Sequence, residues 1–202
     1  YGFSTSTDID SRKFTFSRDE TLDTYHPESE IEKIFNLDLT NNERLLDVRD
    51  NYIIGLRTGL RISDLKRIHE FHFTTGRILI ASTEKTGSFV EIPIHPQIKS
   101  ILERRDNVLP KIISEQKFNL YVKDVCRLAG ITQTILGYKR NKKSNRKEKG
   151  YFEKCELVSS HTCRRSFATN LYGKIPDNTI MAITTHKSYA QFMKYLKTTN
   201  EE

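Results

Sequence analysis

No stretch of this 202-residue chain approaches the roughly eighteen consecutive apolar residues that a membrane-spanning helix needs, so no span is expected. There is no C-x-x-C pair. The three cysteines, Cys126, Cys155 and Cys163, are odd in number and widely spaced. That pattern signals neither a zinc knuckle nor a redox motif. Its plain reading is a reducing compartment, so a cytoplasmic protein is expected. No acidic cluster suggests a metal site, and neither metal nor cofactor is expected. There is no internal repeat. The N-terminus, Tyr1-Gly-Phe-Ser, has neither an initiator Met nor a charged segment ahead of an apolar one. The chain is therefore expected to be a fragment of something longer, cut at a linker.

What the chain does have is positive charge. Lys and Arg number 33 against 26 Asp and Glu, a net +7 with a pI of about 9.2. The charge is concentrated. Residues 138–165 hold ten Lys/Arg and three Glu, a local surplus of seven. Such a surplus fits a nucleic-acid partner, although many basic surfaces are merely solvated. Hydrophobic residues make up 36% of the chain, enough for the core of one domain.

Residues 1–26 alternate polar and aromatic types without helical period and read as a linker or lead-in, with Phe14-Thr15-Phe16 a candidate short strand. From Pro27 the pattern turns helical, with Ile31, Ile34 and Phe35 on one stripe. A second helix, capped near Asn42, should carry Leu45, Val48, Tyr52, Ile53 and Leu56 and stop at Gly59. Arg61 then opens a short helix. Residues 68–73, 77–81 and 89–94 alternate in a β pattern, with turns at 75–76 and 83–88, the latter placing Lys85 at a hairpin tip or strand end. Helices are expected from Pro96 to about Arg105 and from about Ser114 to Leu128. Residues 137–150 read as a long hairpin loop, or a solvated disordered one, between β-prone residues 131–135 and 151–158. Three more helices should follow, opening near His161, at Pro176 and near Tyr189. The fold class is mainly α with a small antiparallel β-sheet (α+β).

The most informative stretch is Ser160-His-Thr-Cys-Arg-Arg-Ser-Phe-Ala-Thr-Asn170. It sets His161 and Arg164 one turn apart on one helix face, near an N-terminus capped by Ser159 or Ser160. A helix N-terminus with an Arg beside it suits a phosphate. Arg61, Lys85, His186 and Tyr195 are the other candidates. Each alone has a bland reading: a capping cation, a polar turn residue, a loop histidine, a core aromatic. His161 itself reads equally well as an ordinary residue of a helical first turn.

Their order and spacing shift that balance. Thr58-Gly-Leu-Arg61-Ile-Ser-Asp64-Leu65, then Lys85, His161-x-x-Arg164, His186 and, nine residues on, Tyr195, together resemble the tyrosine recombinase (phage integrase) family over residues 27–200. The likeness looks closest to integrases of bacterial conjugative or mobilisable elements. It implies a catalytic domain at 27–202, with the N-terminal core-binding domain lying outside this chain. It implies a site-specific recombinase that cleaves and rejoins DNA strands through a 3′-phosphotyrosine and a Holliday junction. Double-stranded recombination sites, a homotetramer on DNA and accessory DNA-bending proteins are the implied partners. A type IB topoisomerase or telomere resolvase uses the same residues, and a DNA-binding protein that has lost activity would keep the fold.

On this resemblance Tyr195 is the nucleophile, and Arg61, Arg164 and His186 contact the phosphate. Lys85 protonates the leaving 5′-oxygen, and His161 accepts or shares the Tyr195 proton. Asp64 is expected to orient a neighbouring Arg or His. Tyr189 and Tyr172 lack the nine-residue spacing from His186. Lys139, Arg140, Lys142, Lys143, Arg146, Lys147 and Arg165 are expected to touch DNA phosphates without reading sequence. One position departs from the family's pattern. Thr185 stands where a Gly is usual, and a positive φ there would strain a threonine.

Overall fold

The computed structural model describes residues 22–67, 72–74, 77–80, 90–141 and 144–196. The candidate strand at 14–16, both turns of the first β region, Lys85, Lys142 and Lys143 lie outside them.

Helix α2 (Glu43–Thr58) is the axis of the molecule, buried continuously from Val48 to Thr58. The Asn42 side chain starts it by accepting from the Leu45 N–H, and Gly59 ends it at φ +63°. Helix α1 (Glu28–Phe35) packs on α2, as do α4 (Pro96–Arg104), α5 (Glu115–Leu128) and α7 (Ser160–Leu171). Tyr52, Ile53, Ile54 and Leu56 of α2 meet Phe118, Val122 and Val125 of α5, and Cys163, Phe167 and Ala168 of α7, in one core. Each Val, Leu, Ile or Phe among them stabilises by about 1.5–3 kcal/mol when taken from water. Gly55 lets α7 come close, because a Cβ there would lie 3.0 Å from the Cys163 sulfur. Asp50, fully buried on α2, accepts from Arg49 (2.7 Å), Arg104 (3.2 Å) and Arg105 (2.6 Å), tying α2 to the end of α4.

A short helix α3 (Ile62–Lys66) leads into a three-stranded antiparallel sheet of β1 (His72–Thr74), β2 (Arg77–Ile80) and β3 (Val90–Pro93). Ile78 faces Ile92 across it, and both are buried. A second sheet is the hairpin of β4 (Thr134–Arg140) and β5 (Lys147–Glu153). The expectation of a long loop at 137–150 is corrected here. Strand pairing runs through the basic residues as far as Arg140 and Lys147, because alternating side chains can point into solvent while the backbone ladder continues. The β-prone end, residues 154–157, is instead helix α6 (Lys154–Leu157), which turns Cys155 inward and lays Leu157 against Gly137. A Cβ on Gly137 would come within 2.4 Å of Leu157. Helices α8 (Asp177–Ile183) and α9 (Tyr189–Tyr195) complete the chain's described part.

A buried polar knot fastens the segment before α1 to the rest. His26 donates from Nδ1 to Glu30 (2.6 Å), and its Nε2 accepts from the Tyr52 hydroxyl (2.8 Å). Lys154 (2.8 Å) and Gln133 (2.6 Å) donate to the other Glu30 oxygen. Asn170 donates to the His26 carbonyl. Burial holds His26 below its usual 6.5, so it is neutral in the fold. Burial alone would raise Glu30, but the hydrogen bonds from His26 and Lys154 bring it to about 2. Both groups make the fold acid-sensitive. An unfolded His26 takes up a proton below about pH 6.5 that the folded one refuses. Glu30 contributes fully above about pH 4.5, and that contribution fades as the pH falls toward 2. The melting temperature is therefore expected to fall progressively from pH 7 to pH 4, and a profile flat over that range would contradict this reading.

Candidate active site

Four corners of the fold bring the candidate residues together. The first is the α2–α3 corner. Gly59 adopts φ +63°, and a Cβ there would lie 2.6 Å from the Phe167 ring, so only glycine fits. The turn it makes presents Arg61, half-buried, at the N-cap of α3. The Gly59 carbonyl also accepts from Arg164 Nη1 at 3.1 Å.

The second corner is the start of α7. Ser159 caps it in a reciprocal box with Thr162, whose hydroxyl accepts from the Ser159 N–H at 3.0 Å. Arg164 is only 5% exposed. Burial, and then the nearby positive charge of Arg61, lower its guanidinium to about 10, while Tyr195 and Asp64 pull the other way. Asp64 is buried on α3, and its negative charge favours the charged form of Arg164. His161, one turn earlier, is exposed. Among the described residues no hydrogen bond or ring contact joins it to Tyr195.

The third corner is the end of α8, which closes in a Schellman motif. The His186 N–H reaches back to the Met181 carbonyl (3.0 Å), and the Thr185 N–H to that of Ala182 (3.2 Å). The motif needs a left-handed residue between them, and Thr185 supplies it at φ +47°. Its hydroxyl oxygen accepts from Arg61 Nη1 at 2.7 Å and from Arg164 Nη2 at 3.4 Å. The neighbouring Thr184 hydroxyl donates to the Ile180 carbonyl (2.6 Å), so it can only accept from His186 Nδ1 (2.8 Å). Burial, then the charges of Arg164 and Arg61, lower His186 to about 4. It is therefore neutral at pH 7, with its proton on Nδ1 and a lone pair on Nε2.

The fourth corner is the end of α9. The half-buried Tyr195 ring lies 5.0 Å, centroid to centroid, from His186. The Arg165 guanidinium also stands over this ring, 4.8 Å from its centre. Arg165 was expected among the DNA phosphate contacts. It is instead buried and paired with Asp23 at 2.7 Å, so its charge is already balanced and its contact is with Tyr195. Tyr189 and Tyr172 are placed elsewhere. The Tyr189 hydroxyl donates to Asp177, and the Tyr172 ring packs on Phe192.

The basic hairpin is separate from these corners. Arg140, Arg146 and Lys147 are exposed. Lys139 is not available in the same way, since it pairs with Glu156 at 2.8 Å.

The structure thus gathers Arg61, Arg164, His186 and Tyr195, and leaves His161 at the rim. Sequence reasoning missed the Thr185 hydroxyl, the Thr184 hydroxyl and the Gly59 carbonyl. Only the position of Thr185, in place of a usual Gly, offered a signal. Chemically, two fixed guanidinium groups converging on one oxygen form a pocket for a tetrahedral oxyanion, with a phenol and a neutral imidazole beside it. Among the described residues, no group of three or more His, Cys, Asp or Glu could hold a metal ion. No described helix is long and apolar enough to cross a membrane.

Comparison with known proteins gives the same direction. The family model described as the phage integrase family matches residues 25–202. No curated protein sequence matches the chain. Among solved structures, a XerH site-specific recombinase bound to its difH substrate shares 20% identity at a TM-score of 0.58, covering 90% of this chain and 52% of the other. A lambda integrase dimer bound to a COC′ core site shares 16% at a TM-score of 0.61, covering 90% and 62%. The Tn1549 transposon integrase bound to circular intermediate DNA shares 17% at a TM-score of 0.51, covering 88% and 62%. This chain thus spans between about half and two-thirds of those chains. At such identities the likeness is one of fold.

Proposed function

The chain belongs to the phage integrase family, and on that premise we propose that residues 27–202 are the catalytic domain of a tyrosine-type site-specific DNA recombinase. The observation that carries the reading is the convergence of Arg61 and Arg164 on one oxygen beside Tyr195.

A phosphodiester resists attack because its charge repels nucleophiles and its alkoxide leaves poorly. Arg61 and Arg164 grip the two non-bridging oxygens and offset the charge that builds on phosphorus. The Tyr195 oxygen attacks in line. A P–O bond to tyrosine forms as the bond to the 5′-oxygen breaks, leaving a 3′-phosphotyrosine. The departing 5′-oxygen takes a proton, the role assigned to Lys85. The protons around Tyr195 are handled by an imidazole. His186 is the one against its ring, and its lone pair on Nε2 suits acceptance. To donate to a phosphate oxygen His186 would first need a second proton, which the phosphate's charge favours. His161, exposed one turn before Arg164, is the other candidate to accept or share the Tyr195 proton. Rejoining runs the same steps backward with a new 5′-hydroxyl, through a Holliday junction in a tetramer on the DNA site, with accessory DNA-bending proteins as further partners.

The direct test is covalent capture on a nicked suicide substrate by the full-length protein. An adduct at Tyr195 supports the reading. Tight site binding without an adduct would mean a DNA-binding protein of this fold. Adduct formation and supercoil relaxation without site preference would mean a topoisomerase.

The hairpin supplies a second prediction. Replacing Arg140, Arg146 and Lys147 together with Gln is expected to weaken binding equally on specific and nonspecific DNA. It should also reduce the slope of log affinity against log salt by up to about 3, roughly 0.9 per phosphate contact. An unchanged slope would remove the hairpin from the interface.

A further inference from the structure

We propose that Thr185 is a positioning residue. Held at a positive φ, its hydroxyl bridges Arg61 and Arg164 and presets the pair for a phosphate oxygen. The proposal rests on the recombinase reading of the same site.

Two observations meet at this residue. The first is a conformation that opposes the residue type. A β-branched side chain at φ +47° is an outlier, and glycine would make the same Schellman turn without strain. Strain of this kind persists where the surroundings hold it, and it is concentrated at working sites. The second is what the side chain does there. Its oxygen accepts from both guanidinium groups, one carried from the α2–α3 corner and the other from α7. No other single atom among the hydrogen bonds of the described residues accepts from both. A glycine would leave the turn intact and the two arginines unlinked.

The chemistry follows from the geometry. Arg61 and Arg164 repel one another, and this repulsion contributes to the lowered Arg164 value. A neutral oxygen accepting from both gives each a fixed N–H direction without neutralising either, so their full charge stays available to an anion. The hydroxyl proton is committed to no acceptor among the described residues, which leaves it able to donate to an incoming phosphate oxygen. The site is then set before DNA arrives, and less reorganisation accompanies the cleavage step.

The test compares Thr185→Gly, Thr185→Ser and the wild type in the full-length protein, reading single-turnover cleavage at saturating nicked DNA together with melting temperature. Thr185→Gly relieves the strain and removes the hydroxyl. It should melt higher by roughly 2–4 °C yet cleave about 10-fold more slowly. Thr185→Ser keeps the hydroxyl and loses the branch, and it should cleave within about twofold of wild type. A purely conformational role predicts the reverse, with glycine cleaving as fast as threonine or faster. That result, or a serine variant as slow as the glycine one, overturns the proposal.

Failure of the recombinase reading shows separately, as the absence of any adduct in the wild type. The bridging role is then decided by thermal shift with inorganic phosphate. The wild type and Thr185→Ser should gain more from phosphate than Thr185→Gly, and equal gains in all three would overturn it.

Discussion

Replacing Tyr195 with phenylalanine is expected to lower covalent capture of a nicked DNA substrate by at least about 10⁴-fold, with site affinity unchanged within about twofold. The substitution removes one oxygen and little else. The Tyr195 ring contacts the His186 ring and the Arg165 guanidinium, and both contacts are made by the aromatic ring that phenylalanine retains. The fold should therefore persist, and the loss should sit in the chemical step. The companion variants sharpen the assignment. Tyr189→Phe removes a hydroxyl that bonds a half-buried Asp177 at the start of α8, and Tyr172→Phe alters a ring packed on Phe192. Both should form the adduct at close to the wild-type rate. Adduct formation by the Tyr195→Phe protein would transfer the nucleophile elsewhere and end the present assignment.

The second large effect is at Arg164. Arg164→Ala is expected to reduce cleavage at saturating DNA roughly 10³-fold, about 4 kcal/mol of transition-state stabilisation. Arg164→Lys should recover little of it. The guanidinium reaches the Gly59 carbonyl with one nitrogen and the Thr185 hydroxyl with another, a fork that a single ammonium does not reproduce. Arg61→Ala should fall by a similar factor. The double variant should fall by much less than the product of the two, since the arginines act on one charge as a unit. The reading is checked by single-turnover kinetics on variants whose melting shows them folded. Strict additivity, or restoration by lysine, would show that the two side chains serve merely as independent positive charges.

Much of the scaffold was legible because its boundaries depend on local chemistry. Asn42, Ser114 and Ser188 accept from the backbone where caps were expected or fit naturally. Gly59 stops α2 for the same steric reason that makes it a turn residue. The second hairpin was less legible. A run of lysines and arginines resembles a loop, and only pairing with a distant partner strand reveals that it is extended. The helix at Lys154–Leu157 was hidden by its β-prone side chains, which the core uses equally well from a single helical turn. In the site, Arg61, Arg164, His186 and Tyr195 were legible by order and spacing. The burial of Arg165 was not, because its partner Asp23 lies 142 residues away. Thr185 was visible in sequence only as a missing glycine. Its hydroxyl has meaning only once two distant arginines are brought to it.

The Thr185 bridge also bears on when, during folding, the chain can act. The bonds that set the two arginines span 105 residues, from Gly59 to Arg164, and 124 residues, from Arg61 to Thr185. They are among the least local contacts in the molecule, and contacts of that separation close the largest loops and are costly in chain entropy until the intervening core has formed. A chain still leaving the ribosome, or one folded only through α5, carries Arg61 and much of α2 but has neither the bridge nor the phenol. Such a chain also lacks the basic stretch at 138–165, and its 19 Lys/Arg stand against 20 Asp/Glu, so it has neither the charge nor the residues of the completed site. On the recombinase reading, cleavage therefore waits until contacts spanning 105 and 124 residues have closed.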